Sequence, residues 1–332
     1  MQIWNDISQR TSPIIWVSAT VISLILLSLV ISQVDWDLTI EILLKSSPAF
    51  LLFSMIFFLA EGVFTTLRFY LLTPNKPLIS SCFKVTAWYV VFLVLLPARL
   101  GEVVVILLLK KYLNQNTSPA LMNILVQRLF DVIILSSIFL ITALALTPFS
   151  DSSYLNIIAI VIITLVSMIL FWLDNFLMIS AKLIIRKHTR PKNKWLRHAL
   201  RMILQARIWH RHRLTTSKSI QTILLTVFKW VCNLGGFALL MKALQLPLDI
   251  SNSVVLGAAY NFLAIIPLQT IGGFGISEAG LTSLLLLSGM SLTLAASATI
   301  IVRLIIIIVP FLFWCIVMSS IKLMTKREIN IE

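Results

Sequence analysis

Val85-Thr86-Ala87-Trp88-Tyr89-Val90-Val91-Phe92-Leu93-Val94-Leu95-Leu96-Pro97-Ala98-Arg99-Leu100-Gly101-Glu102 is an apolar run that breaks off at a proline. About 12 apolar residues precede Pro97, and the shorter run after Glu102 ends at Lys110-Lys111. A helix rises about 1.5 Å per residue and the hydrocarbon core of a bilayer is about 30 Å thick, so neither half can cross on its own. The stretch reads as a re-entrant hairpin that returns to its own side. A second stretch repeats the design. Residues 254–267 are apolar, Gln269-Thr270-Ile271-Gly272-Gly273-Phe274-Gly275 interrupts them, and residues 276–287 are apolar again. Phe92-Leu93-Val94-Leu95-Leu96-Pro97 matches Phe262-Leu263-Ala264-Ile265-Ile266-Pro267 in spacing, with glycine following at Gly101 and Gly272.

Around these hairpins lie longer apolar runs, at 13–32, 48–70, 118–146, 154–173, 220–244 and 291–319. Each reaches the roughly 18 residues that mark a transmembrane helix. Of the 332 residues 59% are hydrophobic and 12% charged, about half the charged share usual in a soluble domain. Continuous runs also exclude a transmembrane barrel, whose strands are short and alternating. The expected fold is all-α: a single integral membrane domain over 1–332, with six transmembrane helices and two re-entrant hairpins.

The formal net charge of +14 follows from 27 Lys+Arg against 13 Asp+Glu. Cytoplasmic loops carry the excess Lys and Arg of membrane proteins, which accounts for the charge without a nucleic-acid partner. With six spans and two hairpins, the N-terminus, the Lys76 loop, the Lys110 loop, the basic loop 182–218 and the C-terminal Lys322, Lys326 and Arg327 share one side. The acidic loops at Asp35, Asp151 and Asp249 share the other. Both termini are therefore expected in the cytoplasm of a cell with the protein in its inner membrane. The first hairpin enters from the cytoplasm and the second from outside. The units 48–146 and 220–319 then form an inverted repeat, the arrangement of secondary transporters with broken helices at the midplane.

Charges inside the apolar segments mark the candidate site. Glu61, Arg99, Glu102, Arg128, Asp131, Lys229, Glu278 and Arg303 lie near mid-depth, where a charge costs at least about 2.5–3.5 kcal/mol. Arg128 lies ten residues after Ser118 and Arg303 twelve after Ser291, both about 15 Å deep. The second half of each hairpin starts at its glycines: Gly101 in one, Gly272, Gly273 and Gly275 in the other. Two helix N-termini, each with free N–H groups and a partial positive charge, would then point inward, a geometry that suits a phosphate or carboxylate. Arg99 and Arg303 would add guanidinium donors. Two readings stay open for the acidic members. Glu102 and Glu278 either offset the helix dipole in the first turn or carry protons. Arg128 and Asp131, at i and i+3, can pair along one helix face for structure alone.

Residues 182–218 hold twelve Lys/Arg, all four histidines and no Asp or Glu. Trp195, Leu196, Leu200, Ile203 and Leu204 would suit an amphipathic helix, although the positive-inside rule accounts for the stretch by itself. Contact with anionic lipid follows either way. With every histidine there, no buried histidine base or histidine metal site is available. Cys82, Cys232 and Cys315 have no metal or redox spacing. No catalytic motif, metal or cofactor is expected, and the chain is not read as an enzyme.

Three motifs together resemble the lysylphosphatidylglycerol synthase transmembrane family, the flippase-like integral membrane proteins. They are Pro97-Ala98-Arg99-Leu100-Gly101-Glu102, Gln127-Arg128-Leu129-Phe130-Asp131 and Gly272-Gly273-Phe274-Gly275-Ile276-Ser277-Glu278-Ala279. Gln127 departs from relatives that often carry Glu. The resemblance implies a lipid-translocation module. In the bacterial multiple peptide resistance factor such a module moves aminoacylated phospholipid between leaflets, and a fused soluble synthase domain makes that lipid. The resemblance here is to the membrane module without that domain. It implies a polar- or anionic-headed lipid as substrate and an envelope-biosynthesis enzyme as a possible partner. The alternatives are a membrane-embedded transferase acting on a lipid phosphate, with Glu102 or Glu278 as base, and a non-transporting partner of an envelope-synthesis complex.

Overall fold

A computed structural model of the protein describes residues 21, 24–25, 27–74, 77–96, 100–145, 161, 178–179, 194–213, 215–265 and 274–329. Among them are ten principal helices and no strand: α1 Trp36–Lys45, α2 Pro48–Leu72, α3 Ile79–Leu95, α4 Leu100–Leu113, α5 Thr117–Ala145, α6 Lys194–Arg213, α7 Thr216–Ala243, α8 Ile250–Ile265, α9 Ile276–Leu287 and α10 Leu292–Ile329. Within α2, α5, α7 and α10, stretches of 25 to 32 residues are long and apolar enough to cross a bilayer. The expected span over 13–32 lies partly, and that over 154–173 almost wholly, outside the described residues. So do Pro97 and Arg99 of the first break, and Gly272 and Gly273 of the second.

The helices flanking the breaks are short. α3 and α4 have 17 and 14 residues, α8 and α9 have 16 and 12. α3 and α8 exceed the apolar runs read from sequence because they start at Ile79 and Ile250, ahead of the continuous hydrophobic stretch, and α4 because it takes in Leu100–Glu102 and Lys110–Leu113, whereas α9 covers the same residues as its run. All four remain under the roughly 20 residues of a full crossing.

Two segments differ from the sequence expectation, and in a third, the basic loop, the helix that is one of its two readings is present. The acidic loop after the first span is a helix, α1. Asp35 caps it by accepting a hydrogen bond from the Leu38 N–H at 3.1 Å, Glu41 pairs with Lys45, and Ile42 is buried. A side-chain cap and one buried apolar face are enough to order a ten-residue helix. The basic loop contains α6, whose Ile203, Ala206 and Trp209 pack against Leu72, Met122, Val126 and Phe130. The Ser118 hydroxyl donates to the Met202 carbonyl at 2.6 Å. The last span continues as helix to Ile329, so α10 has 38 residues with Pro310 inside it. At about 1.5 Å per residue that is about 57 Å, well beyond the hydrocarbon thickness.

The chain divides into two compact units: residues 1–62, 86–105 and 231–332, and residues 63–85 and 106–230. The first has its core where Phe237, Leu240 and Met241 of α7, with Leu244 just after it, meet Leu281 and Leu285 of α9 and Ala295, Ala298, Val302 and Ile305 of α10. The alanines let α10 come close. α1 is tied into this unit by a hydrogen bond from the Ser297 hydroxyl to the Asp35 carbonyl at 3.2 Å. The Ser47 N–H donates to the Ala243 carbonyl at the end of α7, at 2.9 Å. In the second unit α6 lies along α5 on the aromatic and aliphatic side chains named above.

Candidate functional site

Each unit holds a buried ionic centre, and each centre is built from residues far apart in sequence. In the second unit the centre is Asp131, halfway along α5. Its Oδ1 accepts hydrogen bonds from Arg68 Nη1 of α2 at 2.7 Å, Trp230 Nε1 of α7 at 3.1 Å and Lys229 Nζ at 3.3 Å. Its Oδ2 faces Arg128 Nη1 at 3.6 Å. One carboxylate thus gathers three cations. Arg68 is 1% exposed, and its Nη2 also donates to the Gln127 carbonyl at 2.8 Å. The Lys229 ammonium sits 3.8 Å from the centroid of the Trp230 ring, where the negative face of the indole adds to its stabilisation. Arg128 is the outermost member, with 32% of its side chain exposed.

A buried polar ladder runs along α5 to this centre. Gln127 Nε2 donates to Asn123 Oδ1 at 2.7 Å, and Gln115 Nε2 donates to the Thr73 hydroxyl at 2.7 Å, near Asn123. Asn123, Gln127 and Asp131 recur every four residues and so share one helix face. Gln127 works here as an amide donor to Asn123.

In the first unit the centre is Glu278 in the first turn of α9. Gly275 precedes that helix with φ +86°, a left-handed conformation open to glycine and strained for other residues. The Gly275 N–H donates to Glu278 Oε2 at 2.6 Å, so the carboxylate caps its own helix. Its Oε1 lies 2.8 Å from Arg303 Nε of α10, an ion pair by distance without the alignment of a hydrogen bond. The Arg303 guanidinium lies 5.0 Å from the Phe274 ring centroid, and the Tyr260 phenol of α8 lies against Ser277 and Arg303. Glu278 therefore does what a dipole-offsetting residue does and also binds a cation.

Of the sequence-derived site residues, Arg128 and Asp131 meet in the second unit, and Gly275, Glu278 and Arg303 meet in the first. Gly101 and Glu102 belong to the first unit, in the opening turn of α4. A Cβ on Gly101 would stand 3.0 Å from the Leu93 backbone, so glycine lets α3 and α4 approach. Arg99, Gly272 and Gly273 lie outside the described residues. Arg68, Trp230 and Tyr260 were not foreseen. Arg68 stands four residues from the end of α2, where a sequence reading takes it for a loop flank. Lys229 was recognised as a mid-depth charge, but nothing in its spacing tied it to Asp131.

The family model for the lysylphosphatidylglycerol synthase TM region matches residues 15–313, a range that contains both centres and both breaks. The chain belongs to this family. Membership makes it a membrane protein linked to lipid metabolism, and its long apolar helices make it multi-pass. No curated protein and no solved structure matches the chain.

Proposed function

We propose that the protein is a lipid flippase of the inner membrane that moves a polar- or anionic-headed lipid between leaflets. Both termini are cytoplasmic, six helices span, and the α3/α4 and α8/α9 segments are re-entrant. The observation that carries the proposal is the convergence of Arg68, Lys229 and Arg128 on Asp131 halfway along a spanning helix. Charges at that depth are costly, and such residues mark substrate pathways. A phosphate or similar oxyanion can take the place of Asp131 Oδ2 at Arg128, because that contact is the longest of the set and the guanidinium is partly exposed. Arginine binds such oxygens two at a time. Arg303 would accept a head group by releasing Glu278.

The four short helices support the same reading, since broken helices are tolerated in a membrane only where protein or a water-filled cavity satisfies their ends. The lipid's tails stay in the bilayer while its head crosses. An enzyme of envelope biosynthesis would supply or consume that lipid. The test is purified protein in liposomes with a labelled phospholipid, assayed for leaflet exchange and for covalent change. Exchange above protein-free liposomes, with the lipid intact and the rate reduced by Arg128→Ala, is the expected result. A chemically altered lipid would favour the transferase alternative, and no exchange would overturn the proposal.

A further inference from the structure

α1 carries three kinds of side chain on three faces. Trp36, Ile40, Leu43 and Leu44 are 52–79% exposed. Asp37, Glu41 and Lys45 are exposed as well, with Glu41 paired to Lys45. Thr39 and Ile42 are buried, and Leu38 packs against the core of the first unit. At 3.6 residues per turn each set falls within about 100° of the helix surface, so an apolar face, a charged face and a protein-bound face lie side by side. Both ends of the helix are fastened within the first unit. The Asp35 carbonyl accepts from the Ser297 hydroxyl of α10, and the Lys45 carbonyl accepts from Gln245 Nε2, two residues past the end of α7. α2 begins three residues after Lys45. With ten residues α1 is about 15 Å long, half the thickness of the hydrocarbon core. It therefore links helix ends that belong near one face of a membrane.

We propose that α1 is an in-plane membrane helix: Trp36, Ile40, Leu43 and Leu44 insert between the lipids of one leaflet, and Asp37 and Glu41 stay in the water above them. The inference goes beyond the flippase reading and does not depend on it. Four large apolar side chains on one exposed face are unfavourable in water and are matched by the boundary between head groups and acyl chains. A tryptophan at the edge of such a face suits that boundary, since its ring is apolar and its N–H is polar. The exposed apolar surface also continues along the chain into the first turns of α2, a spanning helix, at Leu52 and Phe53. The lipid that covers those residues is the occupant nearest to α1. The charged face decides what kind of force holds the helix. It has two carboxylates and one ammonium, so attraction to anionic lipid contributes little, and insertion of the apolar face does the work. Because its ends are fastened to α10 and to the residue pair after α7, α1 holds those helix ends at the membrane boundary.

Spin labels on the full chain test it. In a background with Cys82, Cys232 and Cys315 replaced, Asp37→Cys, Ile40→Cys, Glu41→Cys and Leu44→Cys are labelled one at a time, and the protein is placed in nanodiscs of phosphatidylcholine and phosphatidylglycerol. Power-saturation spectra then read how far each label meets oxygen, which concentrates among acyl chains, and a nickel chelate, which stays in water. The logarithm of the oxygen-to-nickel ratio should be positive at positions 40 and 44 and negative at positions 37 and 41. All four labels lie on exposed faces, so none has to displace the core. A ratio of one sign at all four positions would overturn the proposal, because α1 would then lie wholly in water or wholly in lipid. Labels at 40 and 44 shielded from both reagents would also overturn it, and spin–spin broadening at those positions would identify the cover as a second copy of the chain. A protein that moves no lipid would leave this result unchanged, so failure of the flippase reading and failure of this proposal are read separately.

Discussion

Asp131 is the counter-charge for Arg68, Lys229 and Arg128, so its removal should cost more than removal of any one cation. Asp131→Asn keeps an oxygen but removes the charge, leaving Arg68, 1% exposed, and Lys229, 7% exposed, beside each other without their carboxylate. Breaking a buried ion pair from one side costs about 3–5 kcal/mol. Arg68→Met is milder. Asp131 keeps Lys229 and Arg128, and the loss is close to that of a hydrogen bond to a charged group, about 1.5–3 kcal/mol. In the double variant neither loss is counted in full, because the two residues are in contact, and the costs should fall short of their sum by about 1–3 kcal/mol. Equilibrium unfolding of the purified protein in mixed micelles with rising dodecyl sulfate gives all three values. If Arg68→Met costs as much as Asp131→Asn, or if the two costs simply add, Asp131 is not the hub of this centre.

Three further outcomes follow from local geometry. Gly101→Ala would set a Cβ against the Leu93 backbone, and overpacking of that kind should lower stability by about 1–3 kcal/mol; an unchanged unfolding midpoint would contradict the α3–α4 approach. Glu278→Gln keeps an acceptor for the Gly275 N–H and loses only the partner of Arg303, so it should be less destabilising than Glu278→Ala, which loses both; equal midpoints would remove the capping role. Trp209→Ala should loosen α6 from α5 at a cost of about 3–5 kcal/mol and open its arginines to trypsin. Unaltered digestion of 194–213 would mean that α6 is held by something other than its aromatic face.

The sequence made the long helices legible because each is a continuous apolar run, and their observed ends lie within a few residues of the expected ones at Pro48, Thr117 and Ala243. It could not show α1, whose ten residues read as an acidic loop until Ile42 is seen buried. It could not show how far α10 extends, because a polar tail carries no periodic signal for where a helix stops. Within the site, neighbours in sequence were readable and distant partners were not. Arg128 and Asp131 are three residues apart, and Glu278 is three from Gly275, so spacing alone brings them together. Arg68 and Asp131 are 63 residues apart, and only tertiary packing decides that an arginine near a helix end turns inward. The hydrogen bonds from Asn261 to Asn233 and from Asn233 to Glu61 were invisible for the same reason, since asparagine in an apolar helix announces a hydrogen bond but not its partner.

The transport account proposes an inverted arrangement of the two broken segments, and the side on which Ser288 lies tests it most directly. Ser288 stands between α9 and α10. In a background with Cys82, Cys232 and Cys315 replaced, Ser288→Cys should react with an impermeant thiol reagent added outside intact cells, as should Asp249→Cys, while Asn114→Cys should react only after the membrane is opened. If α8 and α9 together cross the bilayer, Ser288→Cys will be protected in intact cells and labelled from the cytoplasm. The second segment would then be a span, Lys322, Lys326 and Arg327 would lie outside against the positive-inside rule, and the inverted repeat would be contradicted.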